Sequence, residues 1–214
     1  MAQTEINKRK LFVFDCDSTI IQDEVIELIA AEAGSLDLVA EVTERAMRGE
    51  IDFEESLRER VATLKGLHKS VFDRVISKVR ITPGAEELIN KIHSEDGYVA
   101  IVSGGFHEVL DSIANTLKAD MWMANRLMVQ DDHLTGHTTG AVVDSGVKAR
   151  MLKQWADELG VSLNNTIAVG DGANDIPMMK EAGLSVAFNA KPIVREVADL
   201  TVEGDLSRLI KHVY

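Results

Sequence analysis

Short apolar runs alternate along the chain with longer stretches in which apolar side chains recur at helical spacing. Five of the runs have the length and composition of strands, and they lie at residues 10–15, 98–103, 166–170, 184–187 and 199–202. Most are separated by helical patterns, an order typical of parallel sheets that carry helices on both faces. The pattern therefore predicts an α/β fold with a doubly wound parallel sheet.

The first connection is too long for a single crossover helix. Residues 22–79 read as about four helices, whereas one helix is enough to join two neighbouring parallel strands. We predict that this segment is a helical cap inserted into a Rossmann-like core formed by residues 1–21 and 80–214. Residues 121–143 carry Asp and Gly between apolar runs, which predicts antiparallel hairpin strands.

Composition narrows the class of protein. The 214 residues carry a formal net charge of -12, which argues against the clustered positive face that binds a nucleic-acid backbone. The longest apolar runs fall far short of the ~20 residues that span a bilayer, and the first ten residues lack the apolar centre of a signal peptide. We expect a cytoplasmic protein that binds neither nucleic acid nor membrane. The single cysteine, Cys16, excludes an intramolecular disulfide and is expected in the core.

The first predicted strand ends in paired acids. In "LFVFDCDSTI", residues 11–20, Asp15 and Asp17 follow a run that is apolar on both faces, as expected of a central parallel strand. The two side chains share a side only if the extended geometry continues beyond the strand. Ligand sites in such sheets lie at the carboxyl ends of the strands, so Asp15 stands where a site is expected.

Two further strands end in turns that could bind ions, the first an anion and the second a cation. "AIVSGG" ends in Ser103 and Gly104, and glycine there lets backbone N–H groups approach an anion. "IAVGDGANDIPMM" places Asp171 after a strand, where with Asp15 it would supply the carboxylates of a Mg²⁺ site. Lys148 lies near the start of a helix, where the macrodipole disfavours a cation. Taken singly, each strand-end motif is more typical of an ordinary tight turn, and Lys148 is more typical of a surface lysine.

In this order, "DCDST", "SGG", Lys148 and "GDGAND" resemble the four motifs of the haloacid dehalogenase-like phosphatases. More narrowly, "DCDSTIIQDEVIELIAAEAG", "FEESLRERV" and "VSGGF" are similar to segments of phosphoserine phosphatases. The resemblance covers residues 10–205. It implies a Mg²⁺-dependent phosphatase that hydrolyses O-phospho-L-serine to L-serine and phosphate through an aspartyl-phosphate. That reaction is the last step of serine biosynthesis.

The resemblance also implies roles for the acids. Asp15 is expected to be the nucleophile, because a carboxylate nucleophile divides a slow hydrolysis into two easier steps. Asp17 is expected to protonate the leaving alcohol and then to take a proton from the attacking water. Mg²⁺ would be held by the carboxylates of Asp15 and Asp171 and by the backbone carbonyl of Asp17.

Further groups are expected to hold the phosphoryl oxygens, with Asp175 and Thr19 in supporting roles. This substrate-binding set consists of Ser103, the Gly104 N–H, Lys148 and the neighbouring Asn174.

Substrate choice is expected to lie in the cap. On a helical wheel, Arg60 falls within about 20° of Phe53, whereas Arg58 falls about 140° away. The Arg60 guanidinium could bind a substrate carboxylate, or it could lie at the edge of the apolar stripe with its charge in water. The substrate ammonium requires an acid. Spacing does not choose between Asp23 and Glu24, and the resemblance selects Glu24.

Two other functions fit parts of the pattern. One is a phosphatase or phosphotransferase for another small phosphometabolite, such as phosphohomoserine. The other is a signalling module that accepts phosphate on a strand-end Asp, with a Ser or Thr and a Lys beside it. That module leaves Asp17 and the helical insert unexplained.

Overall fold

A computed structural model describes residues 9–214, and the described part of the chain forms one seven-stranded sheet in the order β4-β3-β2-β1-β5-β6-β7. Neighbouring strands are parallel except for β3 and β4, which are antiparallel. The strands are β1 (Leu11–Phe14), β2 (Tyr98–Phe106), β3 (Met121–Gln130), β4 (His133–Thr139), β5 (Thr166–Gly170), β6 (Leu184–Phe188) and β7 (Leu200–Val202). The predicted doubly wound α/β fold is confirmed.

Ten α-helices connect or cover these strands within the described residues. They are α1 (Val25–Ala33), α2 (Leu36–Met47), α3 (Phe53–Ala62), α4 (Val71–Ile76), α5 (Ala85–Ser94), α6 (His107–Leu117), α7 (Ser145–Glu158), α8 (Ile176–Glu181), α9 (Pro192–Arg195) and α10 (Ile210–Val213).

Strand β1 is apolar on both faces because both faces are covered. Phe12 and Phe14 belong to an apolar cluster that includes buried side chains of α5, α6 and the cap helices. Leu11 and Val13 point to the opposite face and join a second cluster, which includes α7, α8 and α9. Helices therefore lie on both sides of the sheet, and the end of β1 is fixed at its centre.

Helices α1–α4 lie between β1 and α5, in the segment predicted to be the cap. The two stretches of chain that connect this segment to the core lie next to each other. The Gln22 N–H donates to the Arg80 carbonyl at 2.9 Å, and the Thr82 N–H donates to the Ile20 carbonyl at 2.9 Å. These paired connections place the four helices over the end of β1. The predicted division at residues 21/22 and 79/80 stays a prediction.

The hairpin predicted over residues 121–143 is formed by β3 and β4, but its place in the fold was not predicted. Residues 121–123 of β3 pair in parallel with β2 and so extend the main sheet. The outer half of the hairpin contacts the cap, because the Gly66 N–H donates to the Leu134 carbonyl and the Leu134 N–H donates to the Leu67 carbonyl, each at 2.8 Å.

Among the helices that the structure describes, none is both long enough and apolar enough to cross a bilayer. Residues 1–8 lie outside the described residues, and the expectation that no signal peptide is present depends largely on them.

Gly84, just before α5, provides a test of the packing where the chain returns from the cap. Its φ of +77° is left-handed, and a methyl group there would overlap the Asp205 carboxylate and the Ser207 amide nitrogen. Gly84→Ala should lower the free energy of unfolding by about 3 kcal/mol, because strain and overlap add. Gly140 has a similar φ of +80° with nothing within 4 Å. Gly140→Ala should cost only about 1 kcal/mol.

Urea unfolding followed by circular dichroism measures both differences. Equal losses in the two variants would show that crowding at Gly84 contributes nothing.

Candidate active site

The loop after β1 brings two carboxylates into one pocket. Beyond Asp15 the chain turns over residues Cys16–Ile20, and the Ile21 N–H closes this turn by donating to the Cys16 carbonyl at 3.0 Å. Asp17 and Ser18 within the turn do not have helical backbone angles. Ser18 adopts a left-handed conformation with φ of 56°. This turn places Asp15 and Asp17 together on the pocket wall.

The pocket is a cavity of about 150 Å³ between the cap and the carboxyl ends of β1, β2 and β5. Of the residues predicted to act in catalysis, metal binding or substrate binding, Lys148 alone is not among its lining residues. The predicted site residues that line it are Asp15, Asp17, Glu24, Arg60, Ser103, Gly104, Asp171 and Asn174.

Lys148 lies behind the carboxylates, with its side chain 1% exposed. Its Nζ donates to Asp15 Oδ1 at 2.8 Å and to Asp175 Oδ1 at 2.7 Å. Burial disfavours the ammonium, but the two carboxylates outweigh it and raise the pKa of Lys148. A cation near the start of α7 is therefore explained by its acidic partners. Its direct contact with a phosphoryl group stays a prediction.

Asp175 organises the turn after β5. Its Oδ2 accepts hydrogen bonds from the Asp171 and Gly172 N–H groups, both at 3.1 Å, while its Oδ1 binds Lys148. Gly170 needs to be glycine because an added methyl group would overlap the Asp175 side chain. Both Asp175 oxygens have donors, so this residue positions its neighbours, in line with the supporting role expected of it.

The acids in the pocket fit a hard divalent cation. Asp15, Asp171 and Asp175 each offer an oxygen, and these atoms lie within 4.8 Å of one another. Burial and the neighbouring Asp175 charge raise the pKa of Asp15 to about 8, with Lys148 opposing. Burial and Asp175 also raise the pKa of Asp171 to about 6. A cation would offset the repulsion between these carboxylates, and carboxylate oxygen is the ligand that hard cations prefer.

Two donors orient the Asp15 carboxylate. The Cys16 N–H at 2.7 Å and Lys148 at 2.8 Å both bind Oδ1. Among the described residues, Oδ2 has no such donor, so it is the oxygen available to a phosphorus atom.

Asp17 lies against the turn that ends β2. Gly105 donates its N–H to Ser103 Oγ at 2.8 Å, and a methyl group on Gly105 would lie 3.2 Å from Asp17 Oδ2. Asp17 Oδ1 is buried without a hydrogen-bond partner among the described residues. Burial, together with the charges of Glu24 and Asp15, raises the pKa of Asp17 well above its usual value. The arrangement favours a carboxyl group that carries a proton.

The cap supplies a cation through α3. Phe53 and Arg60 both line the pocket, as the helical wheel predicts. The Phe53 ring also lies against Gly104, where an added methyl group would be 3.3 Å from it. Arg58 points away, with a side chain that is 63% exposed and 3.7 Å from Glu55.

Arg60 and Glu24 place opposite charges on the cap side of the pocket. Arg60 Nε donates to the Ser56 carbonyl at 3.2 Å, which fixes the guanidinium on its helix. Burial lowers the pKa of Arg60, while the Glu24 and Asp17 carboxylates favour its charged form. Glu24 directly precedes α1 and accepts a hydrogen bond from Ser18 Oγ at 2.7 Å.

Two residues of the first motif lie beneath the pocket. Cys16 is a buried free thiol within the core, as expected, and burial raises its pKa. Thr19 is fully buried, and its hydroxyl has no hydrogen-bond partner among the described residues.

Several lining residues are not predicted from the sequence, and one of them, Lys191, carries a charge. Its N–H donates to the Asp171 carbonyl at 3.1 Å, which ties it to the turn after β5. Lys191 follows β6 and precedes Pro192, so its place at the carboxyl end of a predicted strand was a usable signal. The other missed lining residues are Ile26, Leu57, Gly105, Phe106 and Gly172.

Comparison with known proteins agrees with this geometry. The model of the family described as haloacid dehalogenase-like hydrolase matches residues 9–183. The chain belongs to this family. Two phosphoserine phosphatases are similar to this hydrolase over most of its length. That of Streptococcus thermophilus is 51% identical over 202 residues, which is 94% of each chain. That of Methanocaldococcus jannaschii is 44% identical over 207 residues, covering 96% of this chain and 98% of the relative.

Solved structures show the same fold as this hydrolase. A phospho-aspartyl intermediate analogue of phosphoserine phosphatase superposes with a TM-score of 0.91 at 43% identity, covering 97% of this chain and 100% of the other. A substrate-bound phosphoserine phosphatase complex gives a TM-score of 0.91 at 42% identity, covering 96% of this chain and 99% of the other.

Lys148 provides a test of the buried charge arrangement in this hydrolase. Lys148→Met should lower the free energy of unfolding by about 3 kcal/mol, because it leaves the buried Asp15 and Asp175 without their cation. Urea unfolding at pH 7 in the presence of a chelator measures the loss without a bound metal. Lys153, half-exposed and 3.2 Å from Glu181, is the matched control, and Lys153→Met should cost under about 1 kcal/mol. A Lys148→Met protein as stable as the wild type would contradict this account.

Proposed function

We propose that this protein hydrolyses O-phospho-L-serine to L-serine and phosphate through an aspartyl-phosphate on Asp15. The observation that carries the proposal is that Arg60 and Glu24 both line the pocket that also contains Asp15 and Asp17. A guanidinium suits a substrate carboxylate and a glutamate suits an ammonium, so the pair matches an amino acid rather than a generic phosphate ester. The similarity to phosphoserine phosphatases supports the same substrate.

The chemistry follows from the orientation of the two acids. Asp15 Oδ2 attacks phosphorus, and the bond from phosphorus to the serine oxygen breaks as Asp17 passes its proton to that oxygen. L-serine leaves, and a water molecule then attacks the phosphorus of the aspartyl-phosphate. Asp17 takes the proton of this water, the acyl-phosphate bond breaks, and phosphate leaves with Asp15 restored. Over both steps, one phosphoserine and one water give one serine and one phosphate.

The phosphoryl group needs donors that stay in place during both steps. Ser103 and the Gly104 N–H lie at the end of β2 on the pocket wall, and Asn174 lies on the turn after β5. We assign these groups, with Lys148 behind Asp15, to the phosphoryl oxygens.

A magnesium ion fits the acids of this site and would neutralise charge on the phosphoryl oxygens. Asp15 and Asp171 would hold it with their carboxylates, and Asp17 with its backbone carbonyl. Asp175 is already committed to Lys148 and to two N–H groups.

The proposed setting is the last step of serine biosynthesis in the cytoplasm. The proposed partner is a small phosphorylated amino acid, and we propose no nucleic-acid or membrane partner. Phosphate release from a panel of phospho-amino acids and sugar phosphates tests the substrate class. Preference for a sugar phosphate would contradict the proposal.

Activity is predicted to require a divalent cation. Four acidic side chains, Asp15, Asp17, Glu24 and Asp171, line the pocket and face a substrate that is itself anionic. Treatment with excess chelator should abolish phosphate release, and added Mg²⁺ should restore it. Undiminished turnover in the chelator would contradict the metal assignment.

Arg60→Ala is predicted to separate amino-acid recognition from phosphate-ester chemistry. Loss of a charge-assisted contact worth roughly 1.5–3 kcal/mol should lower kcat/KM for phosphoserine by about ten- to a hundredfold. Phosphoethanolamine lacks the carboxylate, so the kcat/KM of any phosphoethanolamine hydrolysis should change little. Steady-state kinetics on both substrates measure the difference.

Arg58→Ala is the matched control, because Arg58 lies on the exposed side of the same helix. Arg58→Ala should leave kcat/KM for both substrates unchanged. Equal losses on both substrates in Arg60→Ala would show that Arg60 supports the fold rather than binding the carboxylate.

A further inference from the structure

Ser18 adopts a backbone conformation that costs free energy. Its φ of 56° and ψ of 5° lie in the left-handed region, which a side chain disfavours by roughly 1–2 kcal/mol. Glycine would occupy this position without that cost. A serine in such a conformation suggests that its hydroxyl group has a function that glycine could not provide.

The hydroxyl of Ser18 contacts the acid proposed to bind the substrate ammonium. Ser18 Oγ donates to Glu24 Oε1 at 2.7 Å, and the Ser18 N–H donates to the Asp23 carbonyl at 3.3 Å. Both groups of Ser18 therefore point to the first residues of the cap. Ser18 therefore links the turn that holds Asp17 to Glu24, the acid proposed to bind the substrate ammonium.

The backbone of Glu24 is fixed independently. Asp23 accepts hydrogen bonds from the Arg80 N–H at 2.8 Å and from its guanidinium at 2.6 Å. The Glu24 carbonyl accepts from the Leu28 N–H at 3.1 Å, within the first turn of α1. What remains free is the rotation of the Glu24 side chain, and the hydrogen bond from Ser18 restricts it.

We propose that Ser18 is a positioning residue that holds the Glu24 carboxylate toward the pocket for the ammonium of the substrate. One Glu24 oxygen accepts the serine hydroxyl, and the other is left for the ligand. Ser18 itself is not among the residues that line the pocket, so its effect on the substrate passes through Glu24. This inference rests on the proposed function, because it gives Glu24 the ammonium of an amino acid as its ligand.

The test compares phosphoserine with the phosphate ester of 3-hydroxypropanoate, which is phosphoserine without its ammonium. Ser18→Ala and Ser18→Gly should each raise KM for phosphoserine by roughly three- to tenfold, with kcat nearly unchanged. The ester without an ammonium should keep its KM, or its inhibition constant if it is not turned over. Inhibition by inorganic phosphate should also stay unchanged.

The glycine variant separates the hydroxyl from the backbone. Ser18→Gly relieves the left-handed strain, so its Tm should equal or exceed that of Ser18→Ala. Its KM for phosphoserine should nevertheless rise as much as in Ser18→Ala. Recovery of the wild-type KM in Ser18→Gly alone would overturn the proposal, because the backbone and not the hydroxyl would then matter. Equal defects on both esters would also overturn it. Ser77→Ala is the control, since the Ser77 hydroxyl donates to the Arg74 carbonyl at the end of α4.

Glu24→Gln distinguishes failure of this inference from failure of the proposed function. Suppose that Glu24→Gln raises KM for phosphoserine but not for the ester without an ammonium, while both Ser18 variants behave as wild type. Ser18 then does not position Glu24, and the proposed function stands. If the wild type does not prefer phosphoserine to the ester without an ammonium, the proposed function fails, and the role of Ser18 with it.

Discussion

The buried ammonium of Lys148 joins three parts of the molecule at one point. It extends from α7 and binds Asp15 at the end of β1 and Asp175 in the turn after β5. Two buried carboxylates in such proximity repel each other, and the cation between them allows both strands to end at the same place. The position of Asp15, the proposed nucleophile, the turn that carries Asp171 and the packing of α7 all depend on this interaction.

The charge in the pocket explains why the site needs additional cations. Lys148 is shared by two carboxylates, so it leaves the acids of the pocket with a surplus of negative charge. A phosphate dianion enters such a site only with further positive charge. Arg60 supplies some of it from the cap, Lys191 lines the pocket from the end of β6, and the acids fit a divalent cation. The proposed substrate would thereby be recognised from both the cap and the sheet.

Much of this arrangement could be predicted from the sequence. Apolar runs on both faces identify central strands, and parallel strands bring their carboxyl ends together, so Asp15, Ser103 and Asp171 could be expected to converge. The period of α3 likewise places Arg60 on the apolar side. Choosing Glu24 over Asp23 required the resemblance, because adjacent residues at a helix start have no distinguishing period. The structure gives Asp23 a different task, that of binding Arg80.

Other features depend on tertiary contacts that no local pattern records. The parallel pairing of β3 with β2 is set by α6 and by packing on the sheet, so the hairpin signal in the sequence indicated only its antiparallel half. The contact of Lys148 with a phosphoryl group stays a prediction, and its hydrogen bond to Asp175 depends on the burial of that carboxylate, which no local pattern records. The left-handed turn at Ser18 is likewise invisible, because serine itself does not favour that conformation.

The central claim is that Asp15 accepts the phosphoryl group of phosphoserine, and trapping the phosphoenzyme tests it most directly. Protein mixed with phosphoserine labelled in its phosphate and quenched in acid is digested, and the labelled peptide is identified by mass spectrometry. The account predicts hydroxylamine-sensitive label on Asp15 and no label in Asp15→Asn. Label on another residue, or label that persists in Asp15→Asn, would contradict it.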